Sequence, residues 1–199
     1  MWSDANRLRR KWQHYSGENA AGAEKNFLDV FNEIFQDTEY RIRPQPQEFK
    51  NFYVWYNLSD QVLSEIYTPD KPITKHWFSP DFAIDNTETN KTIYVESKRQ
   101  DWWVEWWERR DWRWNAHERS CKFFTPWLLK ALREKGNLSN DVLPFWTVFQ
   151  GNITRDPLRV REVTCWYEWY PWHFFFWRDT TDTEKLFNHF IENIKPLLD

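Results

Sequence analysis

An α/β domain with a mixed central β-sheet flanked by helices is the architecture this sequence predicts. Three observations carry it. Helical and strand-like stretches alternate along the chain rather than segregating into halves. Two short apolar runs, at 82–84 and 92–95, flank a polar stretch at 86–90 that suits a hairpin turn. The 199 residues are 41% hydrophobic and show no internal repeat or long linker, which fits one packed core.

Each element has a local reason. Residues 1–18 read as an N-terminal arm or irregular helix. Residues 23–35 place Phe27, Val30, Phe31 and Ile34 on one helical face. Pro44 and Pro46 make 40–49 an extended connection. Residues 52–58 are apolar and aromatic enough for a strand. Ser59 caps a short helix reaching Tyr67, with Val62, Leu63 and Ile66 turned inward. Pro69 and Pro72 mark a turn region. The strand at 82–84 is entered through Pro80, and the strand at 92–95 runs into Glu96 and Lys98. Residues 115–135 form a helix bent at Pro126 and ended by Gly136-Asn137. Residues 142–149 are a buried strand. Asp156-Pro157 is an N-cap followed by proline, starting a helix toward Tyr167. Residues 174–177 form a strand. Thr181 and Glu184 make a capping box ahead of Leu186, Phe187, Phe190, Ile191 and Ile194 on one face.

Composition narrows the function classes. The net charge is only -3, so any polyanion partner needs a local basic surface. One exists in sequence: from Lys98 to Arg133 there are nine Lys or Arg against five acids. No apolar run approaches the ~20 residues of a membrane span, and the N-terminus lacks the apolar core of a signal peptide, so a cytoplasmic location is expected. Cys121 and Cys165 form no CxxC pair, which argues against structural zinc; both are expected reduced, and Cys121 is expected to pack. The chain holds 16 Trp and 4 Gly, against roughly 7% glycine in ordinary chains. Six of the tryptophans fall between Trp102 and Trp114. Stacking on bases and an altered sequence are two readings of that excess.

The chemistry-bearing residues are Asp81, Glu96 and Lys98. A phosphodiester repels nucleophiles, and a divalent cation held by carboxylates offsets that charge and activates water. Mg²⁺ takes hard oxygen ligands and keeps several waters. Asp81 and Glu96 at adjacent strand ends supply two ligands, and the backbone carbonyl of Ser97 a third. Alternate residues of a strand share a face, so Lys98 stands beside Glu96 while Ser97 points away. Exposed acids and a lone ExK pair are common on surfaces; the fifteen-residue Asp81–Glu96 spacing across a hairpin is what raises this set above them. Asp85 and Glu88 read as turn or surface acids, and His117 as a packing or hydrogen-bonding histidine. Arg113, Asn115 and Arg119 lie around a helix start, where asparagine pairs with adenine and arginine with guanine or phosphate. A solvated, salt-bridged helix end is the plainer reading of the same residues.

The runs Ser79-Pro80-Asp81-Phe82-Ala83-Ile84, Glu96-Ser97-Lys98-Arg99-Gln100-Asp101 and Asn115-Ala116-His117-Glu118-Arg119-Ser120-Cys121-Lys122 together resemble the type II restriction endonucleases of the EcoRI-like branch of the PD-(D/E)xK nucleases. So do Leu143-Pro144-Phe145-Trp146 and the stretch 151–162, and the likeness runs from Ala20 to Asp199. The resemblance implies a single restriction-endonuclease-like domain over 1–199, with 99–122 as its DNA-recognition segment. It implies a homodimer that cuts palindromic double-stranded DNA with Mg²⁺ and works alongside a cognate DNA methyltransferase. Asp81, Glu96 and Lys98 match the catalytic trio, with Asp81, Glu96 and the Ser97 carbonyl as metal ligands. Arg113, Asn115, Ala116 and Arg119 match DNA-recognition residues: Asn115 and Arg119 on the inner AATT, Arg113 on the outer pair. The implied target is CAATTG, cut after the first C to leave 5′-phosphate ends. Tryptophan stands where the resembling enzymes carry glycine at Trp77, Trp103, Trp106, Trp112, Trp114 and Trp127, and Ser97 replaces an apolar residue. Two other readings use the same fold: a catalytically weak DNA-binding protein, which would bind but not nick CAATTG, and a non-nuclease interaction scaffold, which would show no salt-dependent DNA binding. Arg113→Ala is expected to relax outer-pair discrimination more than it weakens general phosphate binding; a cleavage profile unchanged across duplexes varied at the outer pair would defeat that role.

Overall fold

The computed structural model describes residues 27–50, 58–67, 78–99 and 118–199. Its helices are α1 (Phe27–Ile34), α2 (Asp60–Glu65), α3 (Pro126–Gly136), α4 (Pro157–Trp166), α5 (Thr183–His189) and α6 (Lys195–Leu198), the last two joined by a π-helical turn, Phe190–Ile194. Among the described residues five strands form one mixed sheet in sequence order: β1 (Tyr40–Pro44), β2 (Phe82–Asn86), β3 (Lys91–Arg99), β4 (Phe145–Gln150) and β5 (Phe174–Trp177). The β1–β2 and β2–β3 pairs are antiparallel, whereas β3–β4 and β4–β5 are parallel. Parallel neighbours need crossover connections, and the 3₁₀ segment Glu118–Phe124 with α3, then α4, fill them.

Alternation along the strands separates two cores. Ile42, Ile84, Ile93, Val95, Trp146, Val148 and Trp177 face α1 and the α5–α6 region. Trp146 is the hub there: Phe27 and Phe31 meet its ring edge-on and His189 stacks on it. On the opposite face Ala83, Tyr94, Phe145 and Phe149 pack with Phe123, Leu128, Leu132, Val163 and Tyr167. The β2–β3 hairpin is pinned to the C-terminal helix, since Asn86 Nδ2 and Thr89 Oγ1 both donate to the Leu198 carbonyl, at 3.2 and 2.6 Å. α3 ends against β3 so closely that a Cβ on Gly136 would lie 2.3 Å from the Thr92 carbonyl oxygen. Asn137 follows in the left-handed region at φ 51°, as the Gly-Asn signal predicts.

The stripe on α1 is buried as expected, the strand at 174–177 is present, and Asp156 Oδ1 caps α4 by accepting from the N–H groups of Leu158 and Arg159. Other expectations need correction. Residues 40–44 are an edge strand rather than a connection, because Tyr40 and Ile42 alternate inward and Pro44 sits at the strand end, where its missing N–H costs no ladder bond. Ser59 does cap α2, but that helix stops at Glu65 and buries nothing; Val62, Ile66 and Tyr67 are exposed. Pro126 starts α3 after the 3₁₀ segment instead of bending a longer helix, since proline is preorganised for the first helical turn. β4 begins at Phe145 rather than 142, directly after Pro144. Asp182, not Thr181, caps α5; Thr181 bonds to Asp179. Cys121 and Cys165 are free, as expected, but Cys121 is exposed rather than packed. The arm at 1–18 and nearly all of the strand at 52–58 lie outside the described residues, and no helix within the described residues is long and apolar enough to cross a membrane.

Two histidines, His173 buried and His189 half-buried, carry a pH signature. Burial holds both His173 and His189 down to about 4, and the charge of His173 adds to the effect on His189. A histidine depressed in the folded state stabilises the fold above its unfolded value of about 6.5 and loses that contribution as pH falls toward about 4. The urea midpoint should therefore fall between about pH 7 and pH 5, and more steeply than in a His173→Gln/His189→Gln double variant. Equal slopes in the two proteins would remove the histidines from the account.

Candidate active site

The hairpin positions the acids. β2 and β3 pair with Phe82 opposite Val95, so Asp81, one residue before β2, comes level with the Glu96–Ser97 stretch of β3. Asp81 is held twice there: its Oδ2 accepts from the Ser97 N–H at 2.8 Å, and its backbone carbonyl accepts from the Gln45 N–H at 2.9 Å. Glu96 points to the face of Tyr94 and, in the parallel ladder, stands beside Thr147 of β4. Its side chain is only 5% exposed. Lys98, on the same face as the alternation predicts, donates to Glu96 Oε1 and lies 3.5 Å from Asp81 Oδ2. Ser97 points the other way, and its Oγ accepts from Gln150 Nε2 at 3.3 Å.

Electrostatics at Glu96 are a contest that burial wins. Desolvation and the neighbouring Asp81 push its carboxyl above the usual range, while Lys98 and Lys122 pull it down. Glu96 Oε2 is buried and has no hydrogen-bond partner among the described residues. Such an oxygen is costly unless something pairs with it, which fits a cation ligand. Among the described residues no three His, Cys, Asp or Glu side chains converge on one point. Asp81 and Glu96 are thus a sparse oxygen donor set, of the kind Mg²⁺ accepts because it retains several waters.

The sequence-predicted trio is therefore brought together. Arg113, Asn115, Ala116 and His117 lie outside the described residues, and of Arg119 only the backbone, in the 3₁₀ segment Glu118–Phe124, is described. Asp85 is not a loose surface acid: it accepts from Arg43 Nε at 2.5 Å and from Thr92 Oγ1 at 2.7 Å. Sequence reasoning assigned no individual role to Lys122, although it ends the asparagine-to-lysine run. Its ammonium sits 5.2 Å from the Phe78 ring, and its charge reaches Glu96. Thr147 and Tyr167 were also missed; their hydroxyls hydrogen-bond at 2.6 Å behind Glu96, and the Glu96 charge helps burial raise the Tyr167 phenol. No local sequence signal marks that pair, because parallel strand pairing brings it to the site.

A family model described as "Type II restriction enzyme MunI" matches residues 1–199. A protein of that name from Mycoplasma sp is 50% identical over 194 residues, spanning 96% of each chain. The crystal structure of MunI restriction endonuclease in complex with cognate DNA superposes with a TM-score of 0.80 at 48% identity, covering 94% of this chain and 97% of that one. The mixed sheet with helices on both faces is thus the restriction-endonuclease-like fold.

Removing the ammonium tests the electrostatic account. Lys98→Met leaves Glu96 buried beside Asp81 with its nearest cation gone. Uncompensated buried charge costs about 3 kcal/mol. The loss should be large near pH 7.5, where Glu96 must stay charged or take up a proton, and should shrink near pH 5, where protonation is easy. Urea midpoints at the two pH values decide it, and a loss independent of pH would show that Lys98 acts through packing alone.

Proposed function

The chain belongs to the MunI family of type II restriction enzymes, and from that premise we propose that it cuts the palindrome CAATTG after the first C, in both strands, with Mg²⁺ as cofactor. The observation that carries the chemical part is the meeting of Asp81, Glu96 and Lys98 around a buried, unpartnered carboxylate oxygen. A homodimer acting on a two-fold symmetric site in the cytoplasm, with a methyltransferase protecting host DNA, completes the reading.

Each residue has a part. Asp81 and Glu96 would hold the cation, and the Ser97 carbonyl would supply a third oxygen. Bound there, Mg²⁺ lowers the barrier by offsetting phosphate charge and acidifying water. The Ser97 N–H fixes one Asp81 oxygen, so the carboxylate does not have to be ordered when substrate arrives. Lys98 carries three donors, one of which holds Glu96; the others orient the attacking water and offset charge building on the phosphate. The leaving 3′-oxygen takes its proton from solvent. Arg113, Asn115, Ala116 and Arg119 read the bases.

Asp81→Asn and Glu96→Gln should each lower cleavage by at least about a hundredfold while keeping the fold. Mg²⁺ should raise the Tm of the unaltered protein and of neither variant. The decisive assay is a duplex library of all six-base palindromes, with Mg²⁺ and with EDTA. Metal-dependent cutting confined to CAATTG supports the proposal. Binding without cutting, from folded protein, would favour the catalytically weak reading and point to the tryptophans of the recognition segment.

A further inference from the structure

We propose that the cavity beside Asp81 is a subsite for a backbone phosphate adjacent to the scissile one, with Lys50 and Gln45 as its positioning residues. The inference rests on the nuclease reading above.

The cavity measures about 390 Å³ and is lined by Gln45, Pro46, Gln47, Lys50, Phe78 and Ser79. It is tied to Asp81 on two sides. The Gln45 N–H donates to the Asp81 carbonyl, and Ser79 lies two residues before Asp81. Gln45 adopts φ 43°, a left-handed conformation that a non-glycine residue rarely takes. Gln47 Nε2 holds the turn by donating to the Gln45 carbonyl at 2.6 Å. That turn takes the chain out of β1 and leaves Gln45, Gln47 and Lys50 exposed around the opening. Strain of this kind persists where the surroundings demand it, and functional sites are common among such places.

The charge pattern selects the ligand class. The acid on this loop, Glu48, is drawn away: Arg43 donates to it at 2.9 and 3.2 Å and Tyr94 Oη at 3.3 Å. Burial works against that carboxylate, yet the Arg43 bonds hold it below the usual range. Among the described residues the lining carries one formal charge, the Lys50 ammonium, together with side-chain amide donors, while the Ser79 hydroxyl donates to the Pro80 carbonyl at 3.2 Å. Phe78 forms a shared wall, with Lys122 on its ring at 5.2 Å. A concave surface with a cation, neutral donors and, among the described residues, no acid, next to a phosphodiester-cleaving centre, matches the next phosphate of the same strand.

The test uses the full chain, a labelled CAATTG duplex and Ca²⁺ in place of Mg²⁺, with binding followed by anisotropy from low to high salt. Lys50→Ala should weaken binding several-fold and lower the slope of log affinity against log salt by about 0.9 for each phosphate that is no longer neutralised. Lys50→Arg should restore both. With Mg²⁺, Lys50→Ala should raise KM and change the single-turnover rate at saturating enzyme less than about twofold, because uniform binding affects KM rather than the chemical step. An unchanged slope and affinity in Lys50→Ala would overturn the subsite while leaving the nuclease reading intact. Failure of the unaltered protein to bind or cut CAATTG would overturn both.

Discussion

Glu96 carries a carboxylate into a wall of aromatic side chains, and much of the local architecture exists to keep it there. Tyr94, Phe145, Phe149 and Phe123 pack on the same face of the sheet. A charge in such surroundings persists only beside a partner. Lys98 supplies one on the same strand face, and Lys122 adds a second from the 3₁₀ segment. Even so, one oxygen has no hydrogen-bond partner among the described residues. The folded chain thus bears an electrostatic debt at the point where a cation would bind.

That constraint explains the sheet's mixed topology. The antiparallel β2–β3 hairpin brings Asp81 to Glu96 over a short length of chain. The parallel β3–β4 ladder then closes the back of the site, placing Thr147 and Tyr167 behind the carboxylate. The crossover from β3 to β4 also carries the segment from which Lys122 reaches back toward Glu96. Fold and site therefore share one cause: β3 is paired differently on its two edges.

Local signals account for most of what the sequence made legible. The α1 stripe, the hairpin, the Asp156 cap and the face shared by Glu96 and Lys98 all arise from short helical or strand spacings, or from one turn. The elements misread were those decided by distant contacts. Residues 40–44 become a strand because β2 offers an edge. Val62 and Ile66 have helical spacing, but no packing surface among the described residues covers them. At the site, the three chemical residues were readable from motif and alternation. Tyr167, Thr147 and the cavity by Lys50 were not, because each depends on which strand lies beside which.

Asp85 shows how the two ends of the hairpin differ in the balance of acids and donors. It sits on the same strand as the approach to Asp81, yet it is fully engaged, taking two bonds from Arg43 and one from Thr92. Arg43 in turn grips Glu48, and those hydrogen bonds raise its guanidinium above its ordinary value. This cluster pairs each carboxylate with donors from Arg43 and acts as a clamp between β1 and β2. Asp81 and Glu96 have the reverse balance: two carboxylates share one close ammonium and one backbone N–H. The acids of one hairpin thereby divide into a satisfied set that holds the sheet and an unsatisfied set that can bind, and the Gln45 turn joins them by linking the clamp strand to the Asp81 carbonyl.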